Sequence, residues 1–228
     1  MSQTRVVTRL AMREMWISFL VLLLLAAYVA PGAAVALLPA SPSAILERLA
    51  IGVAAAMVAG AAIAAWSLSR ERALGHAAWL ATRSIQRGTI LVGWFVALTL
   101  ISIPGIAAVA VLGWLAASTP GGRMDPVAFG ATFAAIGCGA LGLLALGLLS
   151  GTLLRPSAAA LVAALVCIAL VVATWVAVPS IALPVEALAQ LPQLARPISV
   201  AIQGAGAGLA LAAFMLLAAR VSFDRADL

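Results

Sequence analysis

"VAFGATFAAIGCGALGLLALGLLSGTLL", residues 127–154, runs for 28 positions without an Asp, Glu, Lys, Arg or His. A helix needs about 20 apolar residues to cross a bilayer, and this stretch exceeds that. Five further runs share the property: Trp16–Leu38, Leu49–Leu68, Ile90–Ala117, Ala158–Val178 and Val200–Ala219. Inside hydrocarbon a backbone has no water to bond, so an uncharged run of this kind must satisfy itself as a helix. The composition agrees. The chain is 65% hydrophobic and 9% charged, whereas a soluble domain carries about 25% charged residues to cover its core. The expected fold is an all-α polytopic membrane protein, one transmembrane domain over residues 1–228 with six transmembrane helices.

The charges then set the topology. All thirteen basic residues are arginine and the net charge is +6. An even number of spans leaves both termini on one side. That side holds Arg5, Arg9, Arg13, Arg70, Arg72, Arg83, Arg87, Arg155, Arg220 and Arg225; the other holds Arg48, Arg123 and Arg196. Basic residues stay on the cytoplasmic side, so both termini are expected in the cytoplasm. The basic balance thus describes topology, and no nucleic acid is implied.

Residues 1–15 place Arg5, Arg9 and Arg13 at i, i+4, i+8, with Val6, Val7 and Leu10 opposite. That is the pattern of an interfacial amphipathic helix. The apolar run after it continues past Pro31 and Gly32 to Leu38, longer than the core of a cleaved signal peptide. Residues 179–199 carry Pro179, Pro184, Pro192 and Pro197. They are too interrupted to span, and read as broken helices on the extracytoplasmic face. Small residues recur every fourth position at Gly52, Ala56, Gly60 and Ala64, at Gly147 and Gly151, and at Gly204, Gly208 and Ala212. Such spacing lets helix backbones approach closely in lipid.

Absences exclude several functions. His76 is the only histidine and there is no lysine, so neither a paired-histidine metal motif nor a P-loop can be written. No Asp, Glu, Lys, Arg or His lies in a span, although proton and ion pathways need such groups there. The polar side chains in the spans are essentially Ser18, Tyr28, Thr99, Ser102, Thr132, Ser150, Thr152, Thr174 and Gln203, of which Gln203 is the best candidate for contact with a translocated molecule. Cys138 and Cys167 fall within spans and read as small core residues. No catalytic residue and no metal ligand set is expected. If the chain moves something, the energy comes from a partner.

The loop at 69–89, "SRERALGHAAWLATRSIQRGT", concentrates four of the thirteen arginines, the histidine and a tryptophan. At helical spacing from Arg72 to Arg87, Arg72, His76, Trp79 and Arg83 fall on one stripe. A tryptophan among arginines suits a protein-docking face, or equally an anchor at headgroup level.

Residues 71–94, "ERALGHAAWLATRSIQRGTILVGW", resemble the segment joining the second and third spans of ABC-2 type transporter permeases. Glu71 and Gly75 match its opening, Leu80 its leucine-rich turn, Arg87 its basic turn, and Ile90, Leu91 and Gly93 its entry into the third span. Ala73, His76 and Trp94 stand where the family carries an acidic residue, a threonine and a lysine. The tail "FDRADL" is also similar to that family's. The resemblance implies a coupling helix in the 69–89 loop, with Glu71, Arg72, Gly75, His76, Trp79, Arg83 and Arg87 meeting a separate ABC ATPase that carries the ATP and Mg. It further implies a second permease copy, the same chain or a homologue, in the cytoplasmic membrane of a bacterium or archaeon. The expected function is the permease subunit of an exporter for an apolar or amphipathic substrate, with no enzymatic activity of its own. A haem-exporter-B-like subunit of cytochrome c maturation is a narrower variant. A non-transporting membrane scaffold is the alternative of another class.

Overall fold

A computed structural model describes residues 3–37, 41–76, 85–118, 125–177, 188, 191 and 197–225. The described residues form seven helices and no strand: α1 (Gln3–Ile17), α2 (Leu20–Leu37), α3 (Pro42–Ala73), α4 (Arg87–Ala117), α5 (Pro126–Leu153), α6 (Pro156–Ala177) and α7 (Pro197–Arg225). Four of them begin at a proline: Pro42, Pro126, Pro156 and Pro197. Proline suits the first helical position because its fixed φ is already helical and the N–H it lacks would be unpaired there anyway. Two of these starts carry a side-chain cap. Ser41 Oγ accepts from the Ala44 amide at 3.4 Å, and Asp125 Oδ1 accepts from the Val127 amide at 3.0 Å.

Five helical segments are long and apolar enough to cross a membrane: Leu20–Leu37, Ala44–Ala73, Arg87–Ala117, Pro126–Leu153 and Pro197–Arg225. In α6 the apolar stretch with described side chains is Pro156–Val172. Ala159, Ala163 and Cys167 form its buried edge, while Leu161, Leu165 and Ile168 face outward. Exposed apolar side chains in such number belong against lipid. The protein is therefore a helical, multi-pass membrane protein.

The first apolar run differs from its expected bounds. The chain breaks at Ser18 and Phe19, so the amphipathic helix reaches Ile17 and the span starts at Leu20 rather than Trp16. Phe19 has φ +58°, a left-handed conformation that no ordinary side chain favours and that nothing in the local sequence announces. Along α1, Val7, Ala11 and Met15 are buried, while Arg5, Arg9 and Arg13 are exposed. Val6, expected on the apolar side, is exposed as well. The buried stripe packs on α4, where Gly93 leaves room for Val7.

The core is built on α5. It lies chiefly against α7 and α3, while α2 pairs with α4 and α3 also supports α6. Two glycine-mediated contacts set these distances. A Cβ at Gly147 would collide with the Ala61 carbonyl oxygen of α3, and one at Gly208 would lie 2.6 Å from the Cys138 carbonyl carbon and the Gly139 nitrogen of α5. The expected small-residue spacings thus fall at helix contacts, with one shift of register. Ala61 and Ala65 meet α5, whereas Gly60 packs under Tyr28 and Gly52 under Pro31 of α2. Of the extracytoplasmic segment 179–199, only Leu188, Leu191 and the start of α7 are described, and both leucines are buried. The rest of that expected element lies outside the described residues.

Candidate coupling surface at the arginine-bearing end

The 69–89 segment is not one helix from Arg72 to Arg87. α3 continues through Arg72 and stops at Ala73, with Leu74 as its C-cap and Gly75 at φ +76°. The Leu74 amide donates to the Arg70 carbonyl at 2.9 Å and the Gly75 amide to the Arg72 carbonyl at 3.0 Å. This is a helix ended by a glycine in the left-handed region, where any side chain would be strained. α4 starts afresh at Arg87 after the N-cap Gln86. Arg72 and Arg87 therefore belong to two different helices, and the Gly75 turn separates Arg72 from His76, so the expected stripe is interrupted at its first step. Helical periodicity does not register this stop, because Gly75 interrupts the chain without disturbing the spacing of the residues around it. Trp79 and Arg83 lie outside the described residues.

Both flanking arginines turn away from the segment and onto the ends of neighbouring helices. Arg72 Nη1 donates to the carbonyl oxygens of Gly151, at 3.0 Å, and Thr152 in the last turn of α5. Arg87 Nη1 donates to the carbonyl oxygens of Phe223, at 3.3 Å, and Asp224, at 3.1 Å, in the last turn of α7. The final carbonyls of a helix have no partner within it, and that end carries partial negative charge. A guanidinium satisfies both demands at once. Ser69 Oγ adds a bond to the Leu154 carbonyl at 2.6 Å. Near the end of α7, Arg220 Nε lies 3.9 Å from Asp224 Oδ2.

Glu71 is the one acidic residue of the segment, and its side chain is 9% exposed. Its Oε2 meets Nδ1 of His76 at 2.9 Å across the Gly75 turn. His76 itself is half exposed, at 51%. Leu74 is exposed too, at 55%. Arg70 stacks over the Trp66 ring at 5.1 Å. The described part of the segment thus presents Leu74, Gly75 and His76 outward. It keeps Glu71 inside as the brace of the turn, and uses Arg72 and Arg87 as anchors. Gln203 sits exposed on α7, six residues from its start and so about 9 Å along the helix axis, nearer one end than the middle.

Replacing Arg72 by Gln removes the charged donor from two carbonyls. A bond to a charged group contributes about 1.5–3 kcal/mol, so thermal unfolding in detergent should show a loss of about 2 kcal/mol. An unchanged midpoint would mean that the carbonyls find water equally well.

No three metal-ligating side chains come together among the described residues. No protein-family model matches this chain, and no curated protein sequence matches it.

Proposed function

We propose that this chain is the membrane-spanning permease subunit of an ATP-driven ABC transporter of the ABC-2 type. The observation that carries the reading is the double anchorage of the 69–89 segment. A partner pressing on the exposed turn at Leu74–His76 pushes on α3 directly. Through Arg72 it reaches the end of α5, and through Arg87 the end of α7. Among the described helices, α5 and α7 form the most extensive pair. A load applied at this loop is thereby delivered to the central helices, as transport driven from outside the membrane requires.

In this reading α6 is the fifth of six spans, and the end bearing Arg70, Arg72, Arg87, Arg155 and Arg220 faces the cytoplasm, as the positive-inside rule asks. Two permease chains, copies or homologues, enclose the path. Two ATPase chains supply the ATP and Mg chemistry, since this sequence has no lysine with which to build a P-loop. The exposed, largely apolar helix faces suit an apolar or amphipathic exported substrate, in the cytoplasmic membrane of a bacterium or archaeon. Gln203, exposed on α7, is the polar contact proposed for that path.

The test is copurification of the tagged chain with the products of neighbouring genes, followed by reconstitution into vesicles. An ATPase subunit should copurify, and its ATP turnover should rise when substrate is present. Recovery of the chain without any ATPase, or turnover indifferent to every candidate substrate, would sink the proposal and favour a scaffold.

A further inference from the structure

Where α3 ends against the turn between α5 and α6, a crevice of about 240 Å³ opens between Ser69, Arg72, Leu154, Arg155 and Pro156. Its charged side chains are of one sign. Two guanidinium groups line it and no carboxylate does. Helix-end carbonyls satisfy one nitrogen of Arg72 and the Ser69 hydroxyl. Gly151 and Thr152 accept from Arg72 Nη1, and Leu154 accepts from Ser69 Oγ. Arg72 keeps a buried Nε with no hydrogen-bond partner among the described residues. A buried donor left in that state is costly. Arg155 is exposed beside it. α6 starts at Pro156, and the positive end of its dipole there offsets part of the negative end of α5.

The surroundings narrow the class of anion. The crevice lies at the end of three apolar helices, and Leu153 at its edge is 61% exposed. Beyond it the outer face of α6 continues with exposed Leu161 and Leu165. A polar, cationic notch with an apolar strip running away from it fits a molecule with an anionic head and hydrocarbon tails. Guanidinium groups bind phosphate oxygens through paired, directional N–H donors, and basic pockets between membrane helices take phospholipid headgroups.

We propose that this crevice binds the phosphate group of an anionic phospholipid, with Arg72 and Arg155 as its ligands and the acyl chains along α6. The proposal does not depend on the transporter reading.

The experiment uses the full chain, purified in mild detergent, with binding followed by native mass spectrometry and thermal shift. The probes are phosphatidylglycerol, phosphatidylcholine and inorganic phosphate. Phosphatidylglycerol should bind and raise the unfolding midpoint, and phosphatidylcholine should do neither. Arg155→Gln should weaken phosphatidylglycerol binding about fivefold, the weight of one basic residue at a lipid surface, while Arg155→Lys retains most of it. Arg48→Gln is the control. It removes the same charge about 36 Å away along α3 and should leave binding unchanged. Inorganic phosphate acting as strongly as the lipid would keep the phosphate site but make its source the aqueous anion. Equal binding of phosphatidylcholine, wild-type affinity in Arg155→Gln, or an equal loss in Arg48→Gln overturns the proposal. Unfolding without lipid separates a binding loss from a folding one.

Discussion

A valine at Gly147 is expected to abolish the folded bundle, and one at Gly208 to do the same, whereas Gly206→Val should unfold within about 0.5 kcal/mol of the wild type. The reason lies in what each side chain would strike. At Gly147 the first added carbon meets the Ala61 carbonyl oxygen, and at Gly208 it meets the Cys138–Gly139 peptide at 2.6 Å. Both obstacles are backbone and cannot rotate aside. At Gly206 there is nothing within 4 Å. Overpacking a soluble core costs about 1–3 kcal/mol where side chains can adjust. Here relief requires moving α3 or α7 away from α5 over its whole length. Between membrane helices there is no hydrophobic force to hold such a loosened contact, because lipid tails are as apolar as the side chains. Thermal unfolding monitored by size-exclusion profile in detergent reads the effect directly. Wild-type stability in Gly147→Val would mean that α3 and α5 do not touch as described.

The helices were legible because a bilayer leaves few options: an uncharged run of sufficient length is a helix, and Pro42, Pro126, Pro156 and Pro197 mark where four of them begin. The break at Phe19 was not legible. It uses neither glycine nor proline, and tertiary packing of α1 on α4 selects it against local preference. Gly75 was legible in principle. A glycine closely following a helical run is a stop signal, but it stood inside a stretch whose spacing also fitted an uninterrupted helix. The roles of Arg72 and Arg87 could not be read along the chain at all. Their acceptors lie 79 and 80 residues away for Arg72, and 136 and 137 away for Arg87. Charge placement announced which end of the bundle they occupy, and only the juxtaposition of helix ends shows what they hold. The shift from Gly60 and Ala64 to Ala61 and Ala65 at the α5 contact has the same origin. Spacing identifies a close-packing face, but the rotation of one helix about its axis is set by all its neighbours together.

Exchanging Glu71 for Arg together with Trp79 for Ala is expected to remove substrate-stimulated ATP turnover in the reconstituted transporter. Each half acts on a different part of the proposed coupling surface. Glu71 braces the Gly75 turn through His76 at 2.9 Å, so reversing its charge repels Arg70 and Arg72 on either side in sequence and disorders the exposed corner. Trp79, in the proposed docking segment, supplies a large aromatic of the kind that dominates protein interfaces. Truncating a hot-spot tryptophan costs about 2 kcal/mol or more, about thirtyfold in affinity. Because Glu71 is buried, the double variant could lose coupling simply by misfolding, and two milder variants guard against that. His76→Ala removes the brace from its exposed side, and Trp79→Ala alone leaves the brace untouched. Both should fold, Trp79→Ala with the wild-type midpoint and His76→Ala about 1 kcal/mol less stable for the bond that Glu71 loses, and each should lower turnover at least tenfold. If both variants fold normally and stimulate the ATPase as the parent does, the turn at Leu74–His76 is not where the partner pushes. The arginine anchors would then be no more than caps on the ends of α5 and α7.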